Sequence, residues 1–188
     1  MFFIVALGVL WLIHGYVAWR TIPAMGLSFS YTLLVYITVF IFSLLPVVPI
    51  VLRMSGNESK IIDKFSLLGY TSLGFFTLSF VFLFTKDFII QFISIFSNLV
   101  DTEQPIDNSK RDFIKKSITL GIIGISGTAT GFGFYNSRKG PSVIKHDIFL
   151  ESLPESFNNF TIAQISDLHI GPTIKRPYVE NVLDKISI

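Results

Sequence analysis

Cysteine is absent from the 188 residues, and charge is scarce, at 15%. The first absence excludes disulfide frameworks, thiolate metal sites and cysteine nucleophiles, and leaves the redox compartment undetermined. The second, set beside 51% hydrophobic residues and a mean hydropathy of +0.61, excludes an ordinary soluble composition and points to the membrane class. Net charge is only +2, too little to argue for a nucleic-acid partner, so the charge signal lies in where the basic residues sit. No basic residue precedes the first apolar run, which argues against a cleaved signal peptide. Phenylalanine is abundant instead, at 20 residues, which suits helix surfaces that face lipid.

Four apolar segments follow one another. Residues 2–19 carry no formal charge and suffice to cross a hydrocarbon core of roughly 30 Å at 1.5 Å per residue. Residues 27–52 are also charge-free, with Pro46 and Pro49 near one end, where each removes a helical N–H and is expected to bend or fray the helix. A third span fits 67–84 and is closed by Lys86 and Asp87, because a charge at the bilayer centre costs about 2.5–3.5 kcal/mol on insertion scales. Residues 88–100 are apolar but short, with Gln91, Ser94, Ser97 and Asn98 at helix-like spacing, and read as an interfacial helix. A polar linker over 101–109 leads to the fourth span, 118–135. That span is interrupted by Gly121, Gly124, Gly127, Gly131 and Gly133, of which Gly127 and Gly131 permit close helix packing. His14, inside the first span, is read as forming an interhelical hydrogen bond or lying at interfacial depth rather than as a proton or ligand group.

The fourth span is preceded by Ser109-Lys110-Arg111-Asp112-Phe113-Ile114-Lys115-Lys116. This resembles the twin-arginine export signal, with Lys110 in place of the first arginine and Ile114 in place of leucine, and with Arg111, Phe113 and Lys115 matching. Read without that resemblance, the same cations hold the start of the helix at the cytoplasmic face. Either reading places 110–116 inside, the N-terminus outside and everything after Gly140 outside. Arg53, Lys60 and Lys64 then face outward and partly oppose the assignment.

After Gly140-Pro141 the texture becomes that of a soluble domain, dividing the chain into an anchor over 1–140 and a second part over 141–188. Residues 143–150 and 160–166 are predicted strands. Pro177, with Val179, Val182, Leu183 and Ile186 behind it, predicts an amphipathic helix. Between the second strand and the helix stands Ser166-Asp167-Leu168-His169-Ile170-Gly171-Pro172. In an extended chain, side chains at i and i+2 project to one side, so Asp167 and His169 can meet one ion while Leu168 turns inward. A carboxylate oxygen with an imidazole nitrogen suits zinc, iron or manganese, and Gly171 lets the backbone turn away.

Phe160 to Ser166 leading into Asp167-Leu168-His169-Ile170-Gly171, with a helix behind it, resembles the first metal motif of calcineurin-like metallophosphoesterases, in particular their membrane-anchored bacterial branch. The resemblance covers residues 143–188 at motif level. It implies an α-helical membrane bundle followed by the start of an α/β sandwich, on the bacterial cytoplasmic membrane with an extracytoplasmic C-terminal domain. It also implies a two-ion divalent metal site, with Asp167 as the bridging ligand and His169 as a ligand of one ion. The partners implied are the lipid bilayer and a phosphorylated or lipid-linked small molecule. The family's later motifs are not in the 188 residues, and the histidine expected to protonate the leaving group belongs to them. The expectation is therefore a truncated, inactive chain with no catalytic residue of its own, whose full-length form hydrolyses phosphoester or pyrophosphate bonds. The competing class is a non-enzymatic polytopic membrane protein, a transporter subunit or assembly partner, in which Asp167 and His169 cap an exposed turn.

Overall fold

The computed structural model describes residues 1–97, 108–150, 152 and 154–186. Six α-helices follow in order: α1 (Phe2–Thr21), α2 (Phe29–Leu44), α3 (Val48–Met54), α4 (Lys60–Ser97), α5 (Asn108–Arg138) and α6 (Arg176–Ile186). Contacts divide the chain into two units, Met1–Phe134 and Tyr135–Ile188.

In the first unit the helices form because an apolar backbone in lipid has no other way to satisfy its N–H and C=O groups. Four stretches are long and apolar enough to cross a membrane: Phe3–Met25, Phe29–Met54, Lys60–Ile95 and Asn108–Arg138. The chain reverses after α1 through a 3-10 turn that contains Pro23 and is closed by Gly26 at φ 63°, a conformation that costs glycine little. Pro46 and Pro49 separate α2 from α3, as expected from their missing N–H groups.

Helix α4 holds the bundle together. His14 of α1 stacks on its Phe76 and Arg20 pairs with its Asp87, so α1 runs parallel to it. Lys86 reaches Thr119, while Gly127 lies against Phe75, so α5 runs antiparallel. The buried positions of α4 are 62, 66, 69, 72, 76, 79 and 83, a three-four alternation that forms a continuous seam. Four of these seven are Ser66, Gly69, Ser72 and Ser79. The inward face is thus smaller and more polar than the lipid face, because hydrocarbon supplies no hydrophobic reason to hide large apolar groups and packing favours close backbone approach. The largest inward groups, Phe76 and Leu83, meet Val17 with Ile13, Tyr16, Val39, Phe42, Phe75, Phe80, Ile122 and Ile123 around them.

At Gly69 the approach is closest. A Cβ there would stand 2.5 Å from the Leu45 carbonyl oxygen and 2.9 Å from the Pro46 nitrogen, closer than backbone atoms tolerate. Leu45 is the residue whose helical partner four positions on is Pro49, which has no N–H to give. The glycine therefore fits its Cα hydrogens against a carbonyl that the proline leaves open, a weak C–H···O contact of about 0.5–1 kcal/mol.

Two sequence expectations require correction here. The span over 67–84 and the interfacial helix over 88–100 form one helix through Ser97, and residues 98–100 lie outside the described part. Lys86 and Asp87 do not break it, since neither is a helix breaker and both find partners on neighbouring helices. Helix α5 is also longer than 118–135: it takes in the basic stretch 110–116 and runs unbroken past five glycines. Of the linker expected over 101–109, residues 101–107 lie outside the described part.

The second unit contains the end of α5, a 3-10 turn at Glu155–Phe157 and α6. Gly140, at φ 90°, releases the chain from α5. Helix α6 buries Val182, ties Lys185 Nζ to the Pro141 carbonyl at 2.6 Å, and pairs Arg176 with Glu180 at 2.7 Å one turn on. The strands expected over 143–150 and 160–166 are not formed. No β-strand occurs among the described residues, because a strand needs a neighbour to take its ladder hydrogen bonds and these segments have none.

Candidate metal-binding turn and a charged junction

Asp167 and His169 lie in the irregular segment ahead of α6, both exposed, with Leu168 half-buried between them. The two polar residues differ from the strand reading: their φ angles are 56° and 45°, in the left-handed region that asparagine, aspartate and histidine enter more readily than most residues. Without ladder bonds to hold the segment extended, the chain coils at these positions. Gly171, expected to provide the turn, has no positive φ; its N–H donates to the Ile174 carbonyl at 3.0 Å. Arg138 donates to the Thr173 carbonyl at 3.1 Å, which holds the far side of the same loop.

The donor chemistry suits a hard or borderline metal, yet no group of three or more His, Asp or Glu side chains forms a metal-sized cluster among the described residues. Two exposed donors do not make a two-ion centre. No catalytic step can be assigned to them on these 188 residues.

A second constellation was not legible in the sequence. The Asp87 carboxylate accepts from the Tyr16 hydroxyl and from Arg20 Nε, forms an ion pair with the terminal guanidinium nitrogen of Arg20, and has Lys86 Nζ 3.3 Å away. Lys86 also donates to the Thr119 hydroxyl at 3.1 Å, which in turn donates to the Lys115 carbonyl at 2.9 Å. Three helices are joined by this chain of polar contacts. Its signal in sequence was a polar residue ending each charge-free run, but which run lies beside which is a tertiary fact.

Of the remaining sequence candidates, Lys115 reaches the junction through its carbonyl alone. His14 is buried, donates through Nδ1 to the Leu10 carbonyl at 2.7 Å and stacks on Phe76 with ring centres 4.1 Å apart. Its Nε2 has no partner. The interhelical hydrogen bond expected for it is not formed among the described residues; the ring packs tilted against Phe76 instead. Lys110, Arg111, Phe113 and Lys115 are exposed on the first two turns of α5. Four cations at a helix N-terminus oppose the macrodipole, so helix stability does not explain them.

Over 123 residues the chain is 25% identical to a transmembrane protein with metallophosphoesterase domain from Danio rerio. This similarity is distant. It covers 65% of this chain and 27% of that relative, so the chain spans little more than a quarter of the relative's length. No family profile matches the chain, and no solved structure matches it. A transmembrane helical bundle with a loose likeness to the metallophosphoesterases is the description these findings support.

Proposed function

We propose that this chain is the membrane anchor and first metal motif of a metallophosphoesterase, with Asp167 and His169 as the first two ligands of a two-ion centre of manganese, iron or zinc. The observation that carries the reading is the presence together of the Asp-Leu-His-Ile-Gly run after the membrane segments and the similarity to a transmembrane protein named for a metallophosphoesterase domain. In such a centre the metal ions would lower the pKa of a bound water and polarise the phosphorus, and aspartate and histidine would hold them. The further donors and the general acid would come from outside these residues.

The substrate class follows as phosphomonoester, phosphodiester or pyrophosphate, and the anchor favours one that is itself held at a membrane, such as a lipid-linked nucleotide. The reading also places the part after Gly140 outside a bacterial cytoplasmic membrane, with Lys110, Arg111, Phe113 and Lys115 as an export-type signal or an inner-face anchor.

The deciding experiment uses the longest product of the gene. Chromogenic phosphodiester turnover should require added manganese and fall by three or more orders of magnitude in Asp167→Asn, since the bridging carboxylate would be lost. Undiminished turnover in that variant would remove Asp167 from the mechanism. Absence of Gly-Asp-x-x-Asp and Gly-Asn-His motifs from the genomic DNA beyond codon 188 would favour the non-enzymatic reading instead.

A further inference from the structure

Where α3 meets α4, Arg53 pairs with Asp63. Where α1 ends, α4 passes residues 86–87 and α5 begins, two cations share one carboxylate: Arg20 and Lys86 both contact Asp87. Among the described residues these contacts set two positive charges against one negative, and Lys86 has only 16% of its side chain exposed. A cation withdrawn from water without a full counter-charge is costly, and the cost falls when an anion completes the set.

The height of the junction identifies which anion is at hand. Three charge-free runs, residues 2–19, 65–85 and 117–137, stop at this level or lead away from it. The latter two are about 31 Å long as helices, the thickness of a hydrocarbon core. Trp19, 60% exposed, lies under the Arg20 guanidinium at 4.9 Å, and Tyr16 sits beside it, the amphipathic aromatics of a membrane–water boundary. Donors are also left over. Lysine has three N–H groups and arginine five; the described contacts give Lys86 one hydrogen bond, to Thr119, and Arg20 one, to Asp87, each beside an ion pair with Asp87.

We propose that the α1–α4–α5 junction binds the phosphate of an anionic membrane lipid, with Arg20 and Lys86 as its ligands. Arginine supplies a planar fork and lysine a point charge, the pairing that suits a phosphate with two free oxygens. A zwitterionic headgroup carries its own ammonium and leaves the excess charge uncompensated, so the site selects lipids with net negative charge.

The test takes the 188-residue chain in detergent and titrates phosphatidylglycerol against phosphatidylcholine, reading retained lipid by native mass spectrometry. The expected result is roughly tenfold tighter retention of phosphatidylglycerol, the scale of one charge-assisted hydrogen bond, persisting in 1 M NaCl, where a screening length of about 3 Å removes surface attraction but not a direct contact. Selectivity should vanish in Lys86→Gln and survive in Lys86→Arg, in Arg53→Gln, and in the combined Lys110→Gln, Arg111→Gln, Lys116→Gln variant. Inorganic phosphate at equal concentration should not displace the lipid. Equal retention of both lipids by the unaltered protein would overturn the proposal, as would unchanged selectivity in folded Lys86→Gln. Loss of selectivity in 1 M NaCl or in the triple variant would assign the effect to the exposed turns of α5 and equally overturn it. Should Lys86→Gln fail to fold, the salt, triple-variant and phosphate arms decide alone.

Discussion

Asp87 is the residue on which Tyr16, Arg20 and Lys86 converge. Removing its carboxylate in Asp87→Ala takes the acceptor from Arg20 and the Tyr16 hydroxyl and the counter-charge from Lys86, which keeps its bond to Thr119. The expected loss is about 3 kcal/mol, the low end for breaking a buried pair, because Arg20 keeps 35% of its side chain exposed. Reversible unfolding in mixed micelles would measure it, and a change below about 0.5 kcal/mol, the scale of a surface substitution, would mean the contacts are dispensable. Asp167 is the opposite case. Exposed and without a cluster around it, it should be replaceable by asparagine in this chain with no more than about 0.5 kcal/mol change in stability, even though the same change is expected to abolish turnover in the longer product.

At the scale of elements, the seam of α4 is decided by size. Gly69→Ala places a methyl group against the Leu45 backbone, and overpacking of this kind costs about 1–3 kcal/mol. Gly74→Ala, whose Cβ meets nothing within 4 Å on the same helix, should be neutral or slightly stabilising, since alanine is the better helix former by about 1 kcal/mol. The two thermal midpoints, compared directly, test the close approach of α2 to α4. This contrast was hidden in the sequence, where both glycines sit alike in one apolar run. The extent of the helices was partly legible: Pro46 and Pro49 announced the break after α2, but nothing in 86–100 announced that α4 would continue through a charged pair, because its continuation depends on partners supplied by α1 and α5.

For the whole molecule, the parallel and antiparallel neighbours of α4 put the 22–28 loop and residues 110–116 at one end of the bundle and the 55–59 loop at the other. Phosphatase-reporter fusions at residues 56 and 140 should therefore agree with each other and disagree with a fusion at residue 26. With the orientation proposed above, the first two are active in the periplasmic space and the third is silent. Agreement among all three would refute the four-crossing arrangement, and inversion of the pattern would refute only the orientation.

Charge-free runs about as long as a bilayer is thick are set one residue at a time, so the number of crossing helices, the proline break and the position of the Asp-x-His run were all written in the sequence. Which helices touch, that two cations would share one aspartate, and that a glycine would press against a proline-opened carbonyl depended on contacts between residues 24 to 71 positions apart, which local patterns do not encode. The strands expected after Gly140 failed for the same reason in reverse: alternation can propose a strand, but only a neighbour in space can supply its hydrogen bonds.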